Sequence, residues 1–88
     1  MNKEEILSTA SGLISGQRAE DYGSLENNFG RIAAMWSVIL ESEVPVSTEQ
    51  VALCMAAVKM CRLVNTPNHT DSWVDLAGYA AIGGELSE

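Results

Sequence analysis

The sequence has little with which to build a metal centre or a disulfide framework: one histidine, His69, and two cysteines, Cys54 and Cys61, in 88 residues. A structural zinc site draws on several clustered Cys and His ligands, so none is expected. The spacing of Cys54 and Cys61 puts them two turns apart on one helix face, too far for a disulfide with each other. Small buried thiols in a reducing compartment are the expectation. Basic residues are also scarce, with five Lys and Arg against twelve Asp and Glu, for a net charge of −7. That balance argues against duplex nucleic acid as a partner, because binding it needs a basic footprint that displaces counterions. A small phosphorylated ligand is a different matter, since a local cationic pair can outweigh the global field. No apolar run reaches the ~18 residues that cross a bilayer. The opening Met1-Asn2-Lys3-Glu4-Glu5 is not followed by the apolar core of a signal peptide. The expectation is a cytoplasmic protein with no membrane contact.

What the chain has is apolar helix. Apolar residues make up 47% of it, which is incompatible with disorder. The pattern predicts one all-α domain over residues 1–88, a compact four-helix unit built from helical hairpins. A first helix is expected over about 3–15, capped by Asn2, with Ile6, Leu7, Ala10, Leu13 and Ile14 as its apolar stripe and Gly16 as its stop. It can pack as a looser arm. Residues 17–23 lack periodicity and read as a loop. Ser24 caps a second helix over about 24–42, striped by Leu25, Phe29, Ile32, Trp36 and Ile39. Val44-Pro45-Val46 interrupts the chain, and Ser47 followed by Gln50 forms a capping-box pattern for a third helix over about 48–65. A turn-rich connector leads to a fourth helix over about 71–82, ended by Gly83-Gly84. The third helix is apolar nearly all round, so burial on every side is expected, and a homo-oligomer of dimer size or larger would provide it.

Charges inside these apolar helices are the candidate chemistry. Lys59 and Arg62 are helical neighbours on the third helix, and Asp71 and Asp75 on the fourth. A short connector folds the two helices antiparallel, which can join the pairs either as a structural salt-bridge network or as a polar pocket. A second group, Arg18, Tyr22, Asn27, Asn28 and Arg31, spans the loop and the start of the second helix, where free N–H groups favour anions. Tyr22 offers a ring for stacking on a base. Trp36 and Trp73 are expected in the core or at an interface, with Trp73 also a candidate stacking residue beside Asp75. His69 is expected at the surface or the start of the fourth helix, or else in contact with a ligand.

These residues carry a resemblance. Arg18-x3-Tyr22-Gly23, Asn28-Phe29-x-Arg31-x4-Trp36, Lys59-x2-Arg62 and Asp71-Ser72-x2-Asp75-x2-Gly78-Tyr79 resemble a family of short phage and prophage proteins of unassigned function, over roughly residues 12–84. The resemblance implies a phage-encoded protein in the bacterial cytoplasm. More distantly, the layout is similar to the all-α nucleotide pyrophosphohydrolases of the MazG-like type, which bind magnesium through Glu-Glu-x-x-Glu and Glu-x-x-Asp helices. The corresponding stretches here, Glu26-Asn27-x-x-Gly30 and Ser72-x-x-Asp75, retain only Glu26 and Asp75, with Asp71 as a replacement.

The leading expectation is therefore a phage-type nucleotide-binding protein that sequesters a nucleotide-derived host immune signal and counters antiphage defence. It would need no cofactor and no catalytic residue. Lys59, Arg62 and Arg31 would hold phosphates, Asn28 and Asp75 would bond ribose or base edges, and Tyr22 or Trp73 would stack. The alternative is a divergent magnesium-dependent pyrophosphohydrolase using Glu26, Asp71 and Asp75 to hold Mg2+, and a third is a scaffold module with no ligand.

Overall fold

The computed structural model describes residues 1–15 and 24–88. It contains α1 (Lys3–Ser15), α2 (Leu25–Ile39), α3 (Thr48–Asn65) and α4 (Thr70–Leu86), and no strand occurs among the described residues. The expected stop at Gly16, the loop over 17–23, and Arg18 and Tyr22 within it lie outside the described residues.

The helix starts follow local hydrogen bonding. The Glu5 N–H donates to Asn2 Oδ1 at 2.8 Å, while the Asn2 N–H donates to Glu5 Oε1 at 3.3 Å. At α2 the Asn27 N–H donates to Ser24 Oγ at 3.1 Å. At α3 the Ser47–Gln50 capping box forms in both directions, at 3.2 and 2.9 Å. Each cap satisfies donors that a helix N-terminus leaves unpaired.

Two helix ends differ from expectation. The second helix was expected to run to Ser42, but it ends at Ile39 with Leu40 as its cap and Glu41 at φ 49°. The Glu41 N–H donates to Val38 O and the Ser42 N–H to Ser37 O, both at 3.1 Å, a Schellman arrangement with glutamate where glycine is usual. Ser37 holds the turn from the other side. Its hydroxyl accepts from the Val46 N–H at 2.8 Å and donates to Ala33 O at 2.8 Å. The fourth helix was expected to stop at Gly83-Gly84, yet it continues to Leu86. Gly83 does a different job: a Cβ there would lie 3.2 Å from Ala52 Cβ, so its missing side chain lets α4 approach α3.

α3 and α4 form an antiparallel hairpin, with α2 against α3 and α1 against α4. The main buried cluster joins Phe29 and Ala33 of α2, Val51 and Ala52 of α3, and Ile82 of α4, flanked by Leu25, Ile32, Trp36, Met55 and Tyr79. Trp36 thus packs against the core, as expected, whereas Ile39 at the end of its stripe is exposed. α1 sits closer than a loose arm: Ala10 is buried, and Ile14 Cγ2 lies 3.4 Å from where a Gly78 Cβ would be.

The third helix is not buried on every side in one chain. Val51, Ala52, Ala56 and Leu63 face the core, while Leu53, Val58, Met60 and Val64 are exposed. Cys54 and Cys61 are exposed too, which corrects the expectation of buried thiols. They lie on the outer side of α3, away from the α2–α4 core.

Candidate functional site

Lys59 and Asp75 meet across the α3–α4 hairpin. Lys59 Nζ lies 3.2 Å from Asp75 Oδ2, with the side chains 13% and 32% exposed. The antiparallel fold accounts for this, since it sets the middle of α3 beside the middle of α4. A pair at this depth lies between an exposed ion pair, worth up to about 1 kcal/mol, and a buried one whose breakage costs about 3–5 kcal/mol. A double-mutant cycle with Lys59→Ala and Asp75→Ala, followed by urea denaturation, should give a coupling of about 1 kcal/mol. A coupling indistinguishable from zero would remove the pair as a hairpin fastener.

Asp71 and Asp75, one turn apart on α4, also open onto a groove of about 290 Å³ against α1, lined by Thr9, Leu13, Asp71, Val74 and Asp75. Its walls are apolar at Leu13 and Val74, while its polar groups are two carboxylates and one hydroxyl. Carboxylates accept hydrogen bonds, so the groove suits a ligand that presents hydroxyl or amino donors. Thr9 and Leu13 were not singled out from sequence as site residues. The signal was present: Ile6, Thr9 and Leu13 follow helical spacing on α1, and only the expectation of a loose arm hid it.

The other candidates among the described residues stand elsewhere. Arg62 is exposed on α3 and, among the described residues, forms no ion pair with Asp71. Asn27 and Arg31 are exposed on α2 and Asn28 is half-buried there. None of these, nor His69 or Trp73, lines the groove. His69 is the exposed residue preceding α4, with its Nδ1 2.7 Å from the hydroxyl of fully buried Ser72. The contact satisfies a hydroxyl that has no access to water, so His69 closes the start of the helix. Trp73 is 44% exposed, and its indole N–H donates to Pro67 O at 2.8 Å, pinning the connector. It is therefore neither core nor, in one chain, a wall of the groove.

The alternative metal set is not assembled. Among the described residues no group of three or more His, Cys, Asp or Glu side chains could hold a common ion, so Glu26 on α2 does not join Asp71 and Asp75. Hard divalent cations need several converging oxygens, and two carboxylates, one already paired with Lys59, do not supply them. No described helix is long and apolar enough to cross a membrane.

Comparison with known proteins gives the family. A Gene 55 protein of Mycobacterium phage L5 is 42% identical over 77 residues, covering 88% of this chain and 49% of that protein. A Gene 55 protein of Mycobacterium phage D29 is 43% identical over 85 residues, covering 97% of this chain and 55% of that protein. The chain thus spans about half the length of the curated relatives it matches. No solved structure matches it. The matches run to phage proteins, as the motif resemblance implied, and carry nothing of the MazG-like likeness. The model of the domain of unknown function DUF6378 matches residues 5–87, and the chain belongs to that family.

Proposed function

We propose that the protein binds a nucleotide-type small molecule without turning it over, sequestering a host immune signal of the cyclic nucleotide or cyclic ADP-ribose class, and that it does so as a homo-oligomer. One observation carries the reading: Asp71 and Asp75 face a groove against α1, with Lys59 held beside them by the Asp75 carboxylate. Charge kept at a half-buried site is costly unless it is paired or used; Lys59 and Asp75 are paired there, and Asp71 adds an exposed carboxylate to the same groove. The similarity to phage proteins fits a role in conflict with a bacterial host.

The groove is at the small end of ligand pockets, which run from about 300 to 1,000 Å³. It therefore takes a nucleoside-sized part of the ligand. Its carboxylates match ribose hydroxyls or a base amino group and repel phosphate, so phosphate must lie towards Lys59, away from Asp71. Arg31, Arg62, Asn28 and Trp73 line no part of the groove in one chain, so the reading rests on Asp71, Asp75 and Lys59.

Calorimetry with cyclic dinucleotides, cyclic ADP-ribose and linear ADP-ribose tests the proposal. Binding at micromolar affinity or tighter is expected, with Asp71→Asn or Lys59→Ala weakening it by about tenfold or more, or ~1.4 kcal/mol. No heat from any of them at high micromolar concentration would end the reading. Multiple turnovers of a nucleoside triphosphate with magnesium would replace it with the hydrolase.

A further inference from the structure

The outer side of α3 carries Leu53, Ala57, Met60 and Val64, spaced four, three and four residues apart. That is the spacing of the core positions in a coiled coil. All four are exposed, Leu53 at 67%, Met60 at 53% and Val64 at 85%. Cys54 and Cys61 run along one flank of this seam, also exposed. No charged residue interrupts it. α3 holds only Glu49, Lys59 and Arg62, and Lys59 is turned to Asp75.

We propose that α3 is a self-docking surface, on which a second copy of this chain lies antiparallel. Side-chain size sets the direction. In the antiparallel register, Leu53 meets the partner's Val64 and Ala57 meets the partner's Met60, with both layers repeated by symmetry. Each layer then sets a larger side chain against a smaller one, which fills space evenly. A parallel pair would set Ala57 against its own copy and Met60 against its own, leaving one layer hollow and the next crowded. Antiparallel alignment also opposes the two helix dipoles. Self-complementarity identifies the occupant as a second copy: the seam fills both layers against itself, and it carries no charge in a chain whose net charge of −7 makes two copies repel over most of their surfaces. A self-complementary patch related by a two-fold axis closes as a dimer.

This assignment rests on the self-association proposed above and not on the ligand. Its register sets Cys54 beside the partner's Cys61 and keeps Cys54 away from its own copy. The test uses a short bis-maleimide linker on three samples: the Cys54→Ser chain, the Cys61→Ser chain, and the two mixed. The mixture should give a covalent dimer, and the Cys61→Ser chain alone, which keeps only Cys54, should give none. Sedimentation should show the native chain as a dimer, and Met60→Lys as a monomer of unchanged helicity, since Met60 is half in solvent already and folding does not depend on it. A native chain that stays monomeric would overturn self-association and this surface together. A dimer that tolerates Met60→Lys, or that links Cys54 to its own copy, would overturn this surface alone. A dimer of the expected register that binds no nucleotide leaves the interface standing and ends only the ligand reading.

Discussion

Phe29→Ala is expected to lower the stability of the domain by about 3–5 kcal/mol, the range for deleting a buried phenyl ring. Phe29 is the largest side chain in the buried cluster that joins α2 to Val51, Ala52 and Ile82. The neighbours cannot close the gap cheaply. Ala33 and Ala52 are too small to move into it, and Val51 is a stiff β-branched residue on the opposite helix. A small domain has only ~5–15 kcal/mol in hand, so the variant should sit near its unfolding limit at body temperature. Thermal unfolding followed by circular dichroism should fall by more than about 10 °C. Equal melting of variant and native chain would mean that α2 docks by some other contact.

Gly83→Val should cost about 2 kcal/mol or more, although valine is the better helix former of the two. A Cβ at Gly83 already meets Ala52 Cβ at 3.2 Å, and Ala52 is buried with no rotamer through which to escape. The two γ carbons of valine would then push α4 off α3. Because Lys59 and Asp75 bridge the same pair of helices, the separation should loosen the ion pair and the groove beside it. Loss of stability and of ligand affinity should therefore appear together. Gly12→Ala is the control. No atom lies within 4 Å of its new methyl group, and on helix propensity alone it should raise stability by up to about 1 kcal/mol. If both substitutions moved stability in the same direction, the close approach at Gly83 would not be what holds the hairpin.

The elements most legible in the sequence were those fixed by neighbouring residues. Asn2, Ser24 and Ser47 announce three helix starts, and each makes the expected bond to the third residue onward. The α3–α4 hairpin and the meeting of Lys59 with Asp75 followed from a short connector and helical spacing. Features that depend on distant residues were hidden. Gly83-Gly84 looked like a stop because glycine is a poor helix former, but an interhelical contact keeps the helix going. The end of α2 carried no glycine to mark it, since Glu41 takes the left-handed position under the hold of Ser37 and Val46. Of the residues that line the groove, Asp71 and Asp75 were among the candidates named from sequence, while Thr9 and Leu13 were not, because α1 was expected to pack as a loose arm. Of the second polar group, Asn27, Asn28 and Arg31 stand on α2 and outside the groove.

Glu41 also says something about headroom. A side chain in the left-handed region costs roughly 1–2 kcal/mol relative to the right-handed one. In a domain whose whole margin is only ~5–15 kcal/mol, that is a noticeable fraction held at one exposed turn. The turn persists because the bonds around Ser37 and Val46 fix it from outside. Glu41→Gly would remove that cost, which leaves a reserve of stability at a single residue that does not line the groove.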